Sequence, residues 1–275
     1  MKRAWLVGAG LVTVAVSVLV AIGLVGPGAL YIAKAEASAA VGPEEVVTGF
    51  YDWYLRSIDL AEGRSPVAER SYRSSQFLSE GLVAKVDILL DSFERGGYDP
   101  FLLAQDVPTE IEVGDALVSG KSAQVPVETG FQGHALSVAL EQAHGEWKII
   151  DIDPGPEMVV RSFYQRYLSA VQGDGGARRN PLVDGTFRDF PELSAGFVAE
   201  VDERIASFDR GGADPILLAQ DVPVEVSIGK GVFKEDGASV TVEMFWGGNS
   251  EPSERVVTLE RIEDRWQIVG VSFGG

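Results

Sequence analysis

Four aspartates carry the first chemical question, because each stands in a motif that occurs twice. Asp99 and Asp214 follow glycine pairs and immediately precede Pro100 and Pro215. An aspartate at a helix N-cap accepts a backbone N–H, and proline at the next position has no donor to strand. Local structure therefore accounts for this pair. Asp106 and Asp221, preceded by Gln105 and Gln220, fall near the end of the short helical stretch that the spacing predicts after Asp99 and Asp214. A carboxylate there meets the negative end of the helix dipole, so helix propensity does not explain it. Two roles suit the Gln–Asp pairs. One is a buried polar anchor to Arg95 and Arg210; the other is a ligand-orienting pair at the mouth of a pocket. An enzyme of the lyase, isomerase or hydrolase kind would use Asp106 or Asp221 as its base. Tyr54 and Tyr167, on the predicted opening helices, would be core residues with hydroxyls near that pocket.

Other chemistries find little support. The chain has no cysteine, which excludes disulfides, thiolate nucleophiles, Cys-ligated metals and the acylated cysteine of a lipoprotein. His134 and His144 flank a predicted strand over 135–142, roughly 33 Å apart at ~3.3 Å per residue, too far to share a metal. Trp147 and Trp266 each open a predicted final strand and read as packing. No metalloprotease, nucleophile-elbow, phosphate-loop or calcium-loop motif is present. The residues imply no catalytic set, no metal site and no cofactor. The net charge of −18 disfavours nucleic acid. With 45% hydrophobic and 23% charged residues, the composition is that of a globular chain.

The elements that must position these groups are organised by a repeat. Residues 92–108 return as 207–223 with only three differences, Glu94/Asp209, Tyr98/Ala213 and Phe101/Ile216. Phe50-Tyr51 and Tyr54-Leu55 return as Phe163-Tyr164 and Tyr167-Leu168, and Trp147 returns as Trp266. Each copy opens on a Pro-Glu pair and an apolar stripe at helical spacing: Val46, Val47, Phe50, Tyr51 and Tyr54 in the first, Val159, Val160, Phe163, Tyr164 and Tyr167 in the second. A second helix follows in each. Strands are predicted over 109–113, 123–128, 135–142 and 147–152, then over 224–228, 239–245, 255–261 and 266–271, with Asp236-Gly237 as a hairpin turn. The expected architecture is α+β: two tandem modules over 43–153 and 156–275, each with N-terminal helices packed on a curved antiparallel four-stranded sheet. The stiff junction Asp153-Pro154-Gly155-Pro156 implies a fixed relative orientation.

Residues 1–40 read as a membrane anchor. Lys2 and Arg3 precede an uncharged run over 4–33, and 4–25 as helix spans about 33 Å, enough for a hydrocarbon core. The basic start places the N-terminus in the cytoplasm and the modules outside. Cleavage as a signal peptide near Ala39 is the alternative.

The aromatic opening helix and a closing hairpin ending in Trp147-Lys148-Ile149 resemble the nuclear-transport-factor-2-like, or cystatin-like, superfamily. The Asp-Pro and Gln-Asp segment over 99–108 is similar to the bacterial envelope family known as domain of unknown function 3828. The resemblance implies a curved sheet folded around a helix to leave a conical pocket, and it implies no activity. On these grounds the expected function is non-enzymatic: an exported, membrane-anchored module pair binding a partner protein or small ligand at the bacterial cell envelope. A purely structural spacer is the further alternative.

Overall fold

The computed structural model describes residues 41–59, 62–93, 97–173, 179–208, 212–234, 237–248 and 251–275. The predicted anchor, Arg95, Arg210 and Asp236 lie outside them. Among the described residues no helix is long and apolar enough to cross a membrane.

Helix α1 (Pro43–Arg56) starts where proline and two glutamates favour it, and Glu45 accepts the Gly42 N–H at 3.0 Å. It buries Val46, Val47, Phe50, Tyr51 and Tyr54, the predicted stripe. A 3₁₀ turn (Ser71–Ser74) leads to α2 (Glu80–Ser92), whose N-cap Ser79 accepts the Leu82 N–H. The first antiparallel sheet holds β1 (Ile111–Val113), β2 (Leu117–Ser119), β3 (Ser122–Thr129), β4 (Ala135–Ala143) and β5 (Glu146–Pro154). The strands run β1-β3-β4-β5, with β2 paired to β3 beyond the end of β1.

The second copy repeats this plan with α3 (Pro156–Gln172), the short α4 (Pro181–Asp184), a 3₁₀ turn (Thr186–Asp189) and α5 (Ala195–Ala206). Its sheet is β6 (Glu225–Lys234), β7 (Gly237–Phe245), β8 (Ser253–Ile262) and β9 (Arg265–Phe273), in sequence order and antiparallel. The α+β class with two antiparallel sheets is as expected. The first sheet differs in having five strands, because its opening strand is broken into β1 and β2.

Each sheet packs its helices over a separate core. Phe50, Tyr54, Phe101, Val125, Val138 and Ile149 lie in the first; Phe163, Tyr167, Leu217, Val240, Val257 and Ile268 lie in the second. Both sheets carry a register shift in the last hairpin, between Ala139 and Leu140 and between Thr258 and Leu259. An extra residue on one strand bends the sheet there.

The junction is tied into the first sheet. Strand β5 runs through Pro154, and the Gly155 N–H donates to the Ala135 carbonyl at 2.7 Å before α3 begins. A Cβ on Gly155 would lie 3.0 Å from the Ala135 carbonyl, so a larger residue would force this corner open. Arg261 of β8 reaches back to Asp153 at 2.8 Å, and Lys230 of β6 to Glu128 at 2.7 Å.

Candidate functional site

The repeated Asp-Pro segment forms a tight turn rather than the predicted helix. Leu103 and Leu218 have positive φ, 49° and 52°, which ends any helical path. The Asp99 N–H donates to the Ala104 carbonyl at 2.8 Å, and that of Asp214 to Ala219 at 2.7 Å. Within this loop the aspartate acts as the N-cap reading anticipates. Asp99 Oδ1 accepts the Phe101 and Leu102 N–H groups at 2.9 and 3.1 Å; Asp214 accepts those of Ile216 and Leu217 at 2.8 and 2.9 Å. The second oxygen of each takes a hydrogen bond from a tyrosine hydroxyl, Tyr54 on Asp99 and Tyr167 on Asp214. Burial raises both carboxyls above their ordinary value, against the hydrogen bonds that pull them down. Burial, followed by the adjacent carboxylate, pushes both phenols far up. Tyr54 and Tyr167 are fully buried, so their hydroxyls are committed to the turn.

Gln105, Asp106, Gln220 and Asp221 sit on the outer shoulder of the same turns and are exposed. Since the segment is a turn, the unfavourable helix dipole invoked for Asp106 and Asp221 does not exist. None of the four lines either cavity described below. Arg95 and Arg210, the anchors considered for them, lie outside the described residues. His134 hydrogen-bonds Thr129 Oγ1 through Nδ1 at 3.1 Å and the Leu103 carbonyl through Nε2 at 3.2 Å. The carbonyl requires a proton on Nε2. In the second copy Arg255 does this work, donating to the Leu217 carbonyl at 2.9 Å and the Leu218 carbonyl at 3.4 Å. His144 sits in the β4–β5 turn with φ 55°.

The large cavity lies between the copies. It is a cleft of about 850 Å³. One wall is formed by Leu117, Val118 and Ser119 of β2 with Ala123 and Ala139; the other by Phe233 and Lys234 of β6 with Arg261 and Trp266. Lys85 and Asp151, paired at 3.0 Å, stand at its rim with Glu260 and Asp264. The Phe233 ring meets Trp266 edge-on at 5.6 Å, and the Arg261 guanidinium lies 5.8 Å from the indole centroid. Two donors here are buried without a partner: Arg261 Nη1 and Trp266 Nε1. A smaller cavity of about 360 Å³ lies between the 128–135 hairpin end and β6. It includes Glu157, whose carboxyl burial raises, and which accepts the Gly231 N–H at 2.5 Å.

Sequence reasoning missed the cleft, although two signals were present. Leu117 and Val118 are adjacent apolar residues in a stretch predicted as loop. Strand β4 also lacks alternation, with 135–140 buried on both faces. A strand buried on both faces must be covered twice.

No family model and no curated protein matches this chain. Among solved structures, a chain from the crystal structure of the type VI native effector–immunity complex Tae3-Tai3 from Ralstonia pickettii is similar to it. The identity is 27%, over 42% of this chain and 95% of that one, with a TM-score of 0.36.

Proposed function

We propose that this chain is a non-enzymatic, exported pair of cystatin-like modules, anchored through residues 4–25, which binds a partner protein or small ligand at the cell envelope. The observation that carries this reading is the cleft between the copies. It joins an apolar floor to a polar rim and draws its walls from both sheets, as ligand sites at domain boundaries do. The uncharged run after Lys2 and Arg3 supports export and anchoring. The register shift shared by both sheets supports the cone-shaped family resemblance.

The enzyme reading needs a carboxylate base inside a pocket. Asp106 and Asp221 are exposed and outside both cavities, while Asp99 and Asp214 are fully engaged by backbone N–H groups and tyrosine hydroxyls. Binding is therefore better supported than catalysis by Asp106 or Asp221; of the carboxylates that do line the cavities, Asp151 is paired with Lys85 and Glu157 accepts the Gly231 N–H.

A photoreactive phenylalanine analogue placed at Val118, in the cleft, and at Val183, 83% exposed on α4, separates the alternatives. Irradiation of cells making the full chain should give a discrete adduct from Val118 and none from Val183. The same adducts from both positions, or none from either, would leave the spacer reading in its place. Substrate turnover that disappears on Asp106→Asn would restore the enzyme.

A further inference from the structure

We propose that the smaller cavity, between the β3–β4 turn and β6, binds a small zwitterion, with its carboxylate on Arg161 and its ammonium group on Glu225. This site is separate from the cleft, and it does not rest on the reading of the cleft as the place where a partner binds.

Arg161 stands in the second turn of α3 and lines the cavity half-buried. Among the described residues its guanidinium makes neither a hydrogen bond nor an ion pair. Its Nε is closed off without a partner, but Nη1 and Nη2 are not, so the outer edge of the fork opens on solvent. Gly133, at φ 66°, makes room for it, because a Cβ there would collide with Arg161 Nη2. The first copy has Thr48 at the matched position, so the shared fold does not call for an arginine. A guanidinium with a free edge takes a carboxylate through two parallel hydrogen bonds.

The other charges around the cavity are committed, with one exception. Lys230 pairs with Glu128 at 2.7 Å. Glu157 accepts the Gly231 N–H, as its counterpart Glu44 accepts the Ala116 N–H in the first copy. Both ring nitrogens of His134 are engaged. Glu225, exposed at the first position of β6, has no partner among the described residues. Arg161 and Glu225 therefore line one cavity of about 360 Å³ with opposite charges and form no ion pair with each other. With Glu128, Glu157 and Glu225 against Arg161 and Lys230, a plain anion meets net repulsion. A ligand that carries an ammonium group as well as a carboxylate answers both free groups and adds no net charge. Thr129, Gln132 and Ser227 also line the cavity, which favours a polar ligand.

The test is calorimetric titration of the full chain with glycine, β-alanine and γ-aminobutyrate, which vary the separation of the two charges. Acetate, propionate and butyrate are their controls, each lacking the ammonium group. At least one amino acid should bind about tenfold more tightly than its control, the loss expected for a charge-assisted hydrogen bond. Glu225→Gln, on an exposed side chain, should abolish that preference and leave the control's affinity unchanged. Arg161→Gln should weaken amino acid and control alike. Binding of no amino acid overturns the proposal, and so does an affinity no better than the control's, which would make this a plain anion site. A preference that survives Glu225→Gln overturns it as well, without relying on the half-buried arginine. The crosslink at Val118 reports the cleft alone, so failure here leaves the reading of the cleft standing.

Discussion

The two copies share a turn and differ in what surrounds it. In both, an aspartate closes the turn and a tyrosine from the opening helix holds its second oxygen. Beside that shared device, matched positions have exchanged chemistry. The first copy places Gly49, Trp53 and Phe77 together; a Cβ on Gly49 would stand 3.0 Å from the Phe77 ring. The second has Ser162, Arg166 and Glu192, with the Glu192 carboxylate accepting from the Ser162 hydroxyl at 2.9 Å and ion-paired with Arg166 at 3.1 Å. The outer sheet faces differ as well. Ala135, Ser137 and Ala139 of β4 are buried, whereas of their counterparts on β8 Glu254 and Thr258 are exposed and Val256 is half-buried. Small residues let the second copy lie against the first sheet, and polar ones leave the second sheet facing water. Duplication kept what makes the turn and freed what makes the interface.

The strongest attempt to break this comparison is removal of the shared aspartates. Asp99→Ala or Asp214→Ala strands two backbone N–H groups and a buried tyrosine hydroxyl, and should cost about 3 kcal/mol each by chemical denaturation. Asp106→Ala and Asp221→Ala should leave the midpoint unchanged. A large loss from the second pair would move the structural corner to the Gln–Asp positions.

A smaller effect tests the exchanged trio. Glu192→Ala removes a buried acceptor from Ser162 and Arg166 and should cost about 1–2 kcal/mol. Replacing Ser162, Arg166 and Glu192 together by Gly, Trp and Phe should be neutral or stabilising, because a complete apolar set often matches a buried ionic one. The triple variant should therefore depart from the sum of its singles by about 1–3 kcal/mol. Strict additivity would show that the trio is not a unit.

The pH dependence sharpens the shared half of the comparison. Asp99 and Asp214 have an ordinary carboxyl value of 3.8 that burial raises in the folded state. Their contribution is then complete below the unfolded value and is lost as pH rises through the raised one. Asp87, lowered first by the Tyr72 hydroxyl, and Asp202, lowered first by Arg188, act in the opposite sense and are lost as pH falls. Asp99→Asn with Asp214→Asn removes only the first pair of titrations. Wild-type stability relative to that variant should fall as pH rises from about 4 towards 7. A flat difference would mean that burial does not perturb these groups.

Much of the fold was legible because repeated residues obey simple periods. The stripe of Phe50, Tyr51 and Tyr54 recurs in Phe163, Tyr164 and Tyr167, and both stripes are buried as helical spacing requires. Most strand positions were also clear from Val and Ile runs between glycines, but β2 falls in a stretch read as loop and β6 runs on to Lys234, past the predicted end at 228. The turn was not, since Asp-Pro followed by leucines suits a helix start as well as a turn, and only the positive φ of Leu103 and Leu218 distinguishes them. The Tyr54–Asp99 contact joins groups far apart in the chain, which no local period reports. The cleft was hidden for a similar reason. Its walls come from both copies, and the burial of Ala135, Ser137 and Ala139 depends on how those copies meet.

The smallest expected effect concerns the break between β1 and β2. Gly114 donates to the Pro126 carbonyl at 2.9 Å, so the polar edge of Pro126 faces the broken strand. Its nitrogen has no hydrogen to offer. At the matched position the second copy has Thr241, and β6 runs without a gap from Glu225 to Lys234, with only a register shift between Ile228 and Gly231. Gly114 and Gly229 are matched too, so glycine is not the difference. Pro126→Thr should create a protected amide at 126 in hydrogen exchange and bring β1 and β2 towards one bulged strand. The stability change should stay within about 1 kcal/mol, the value of one net backbone hydrogen bond. A protected amide with loss of the crosslinked adduct from Val118 would show that the proline keeps β2 separate for its partner. Protection without any change in binding would make the break a drift between copies, and leave the edge of β2 to be explained by Leu117 and Val118 alone.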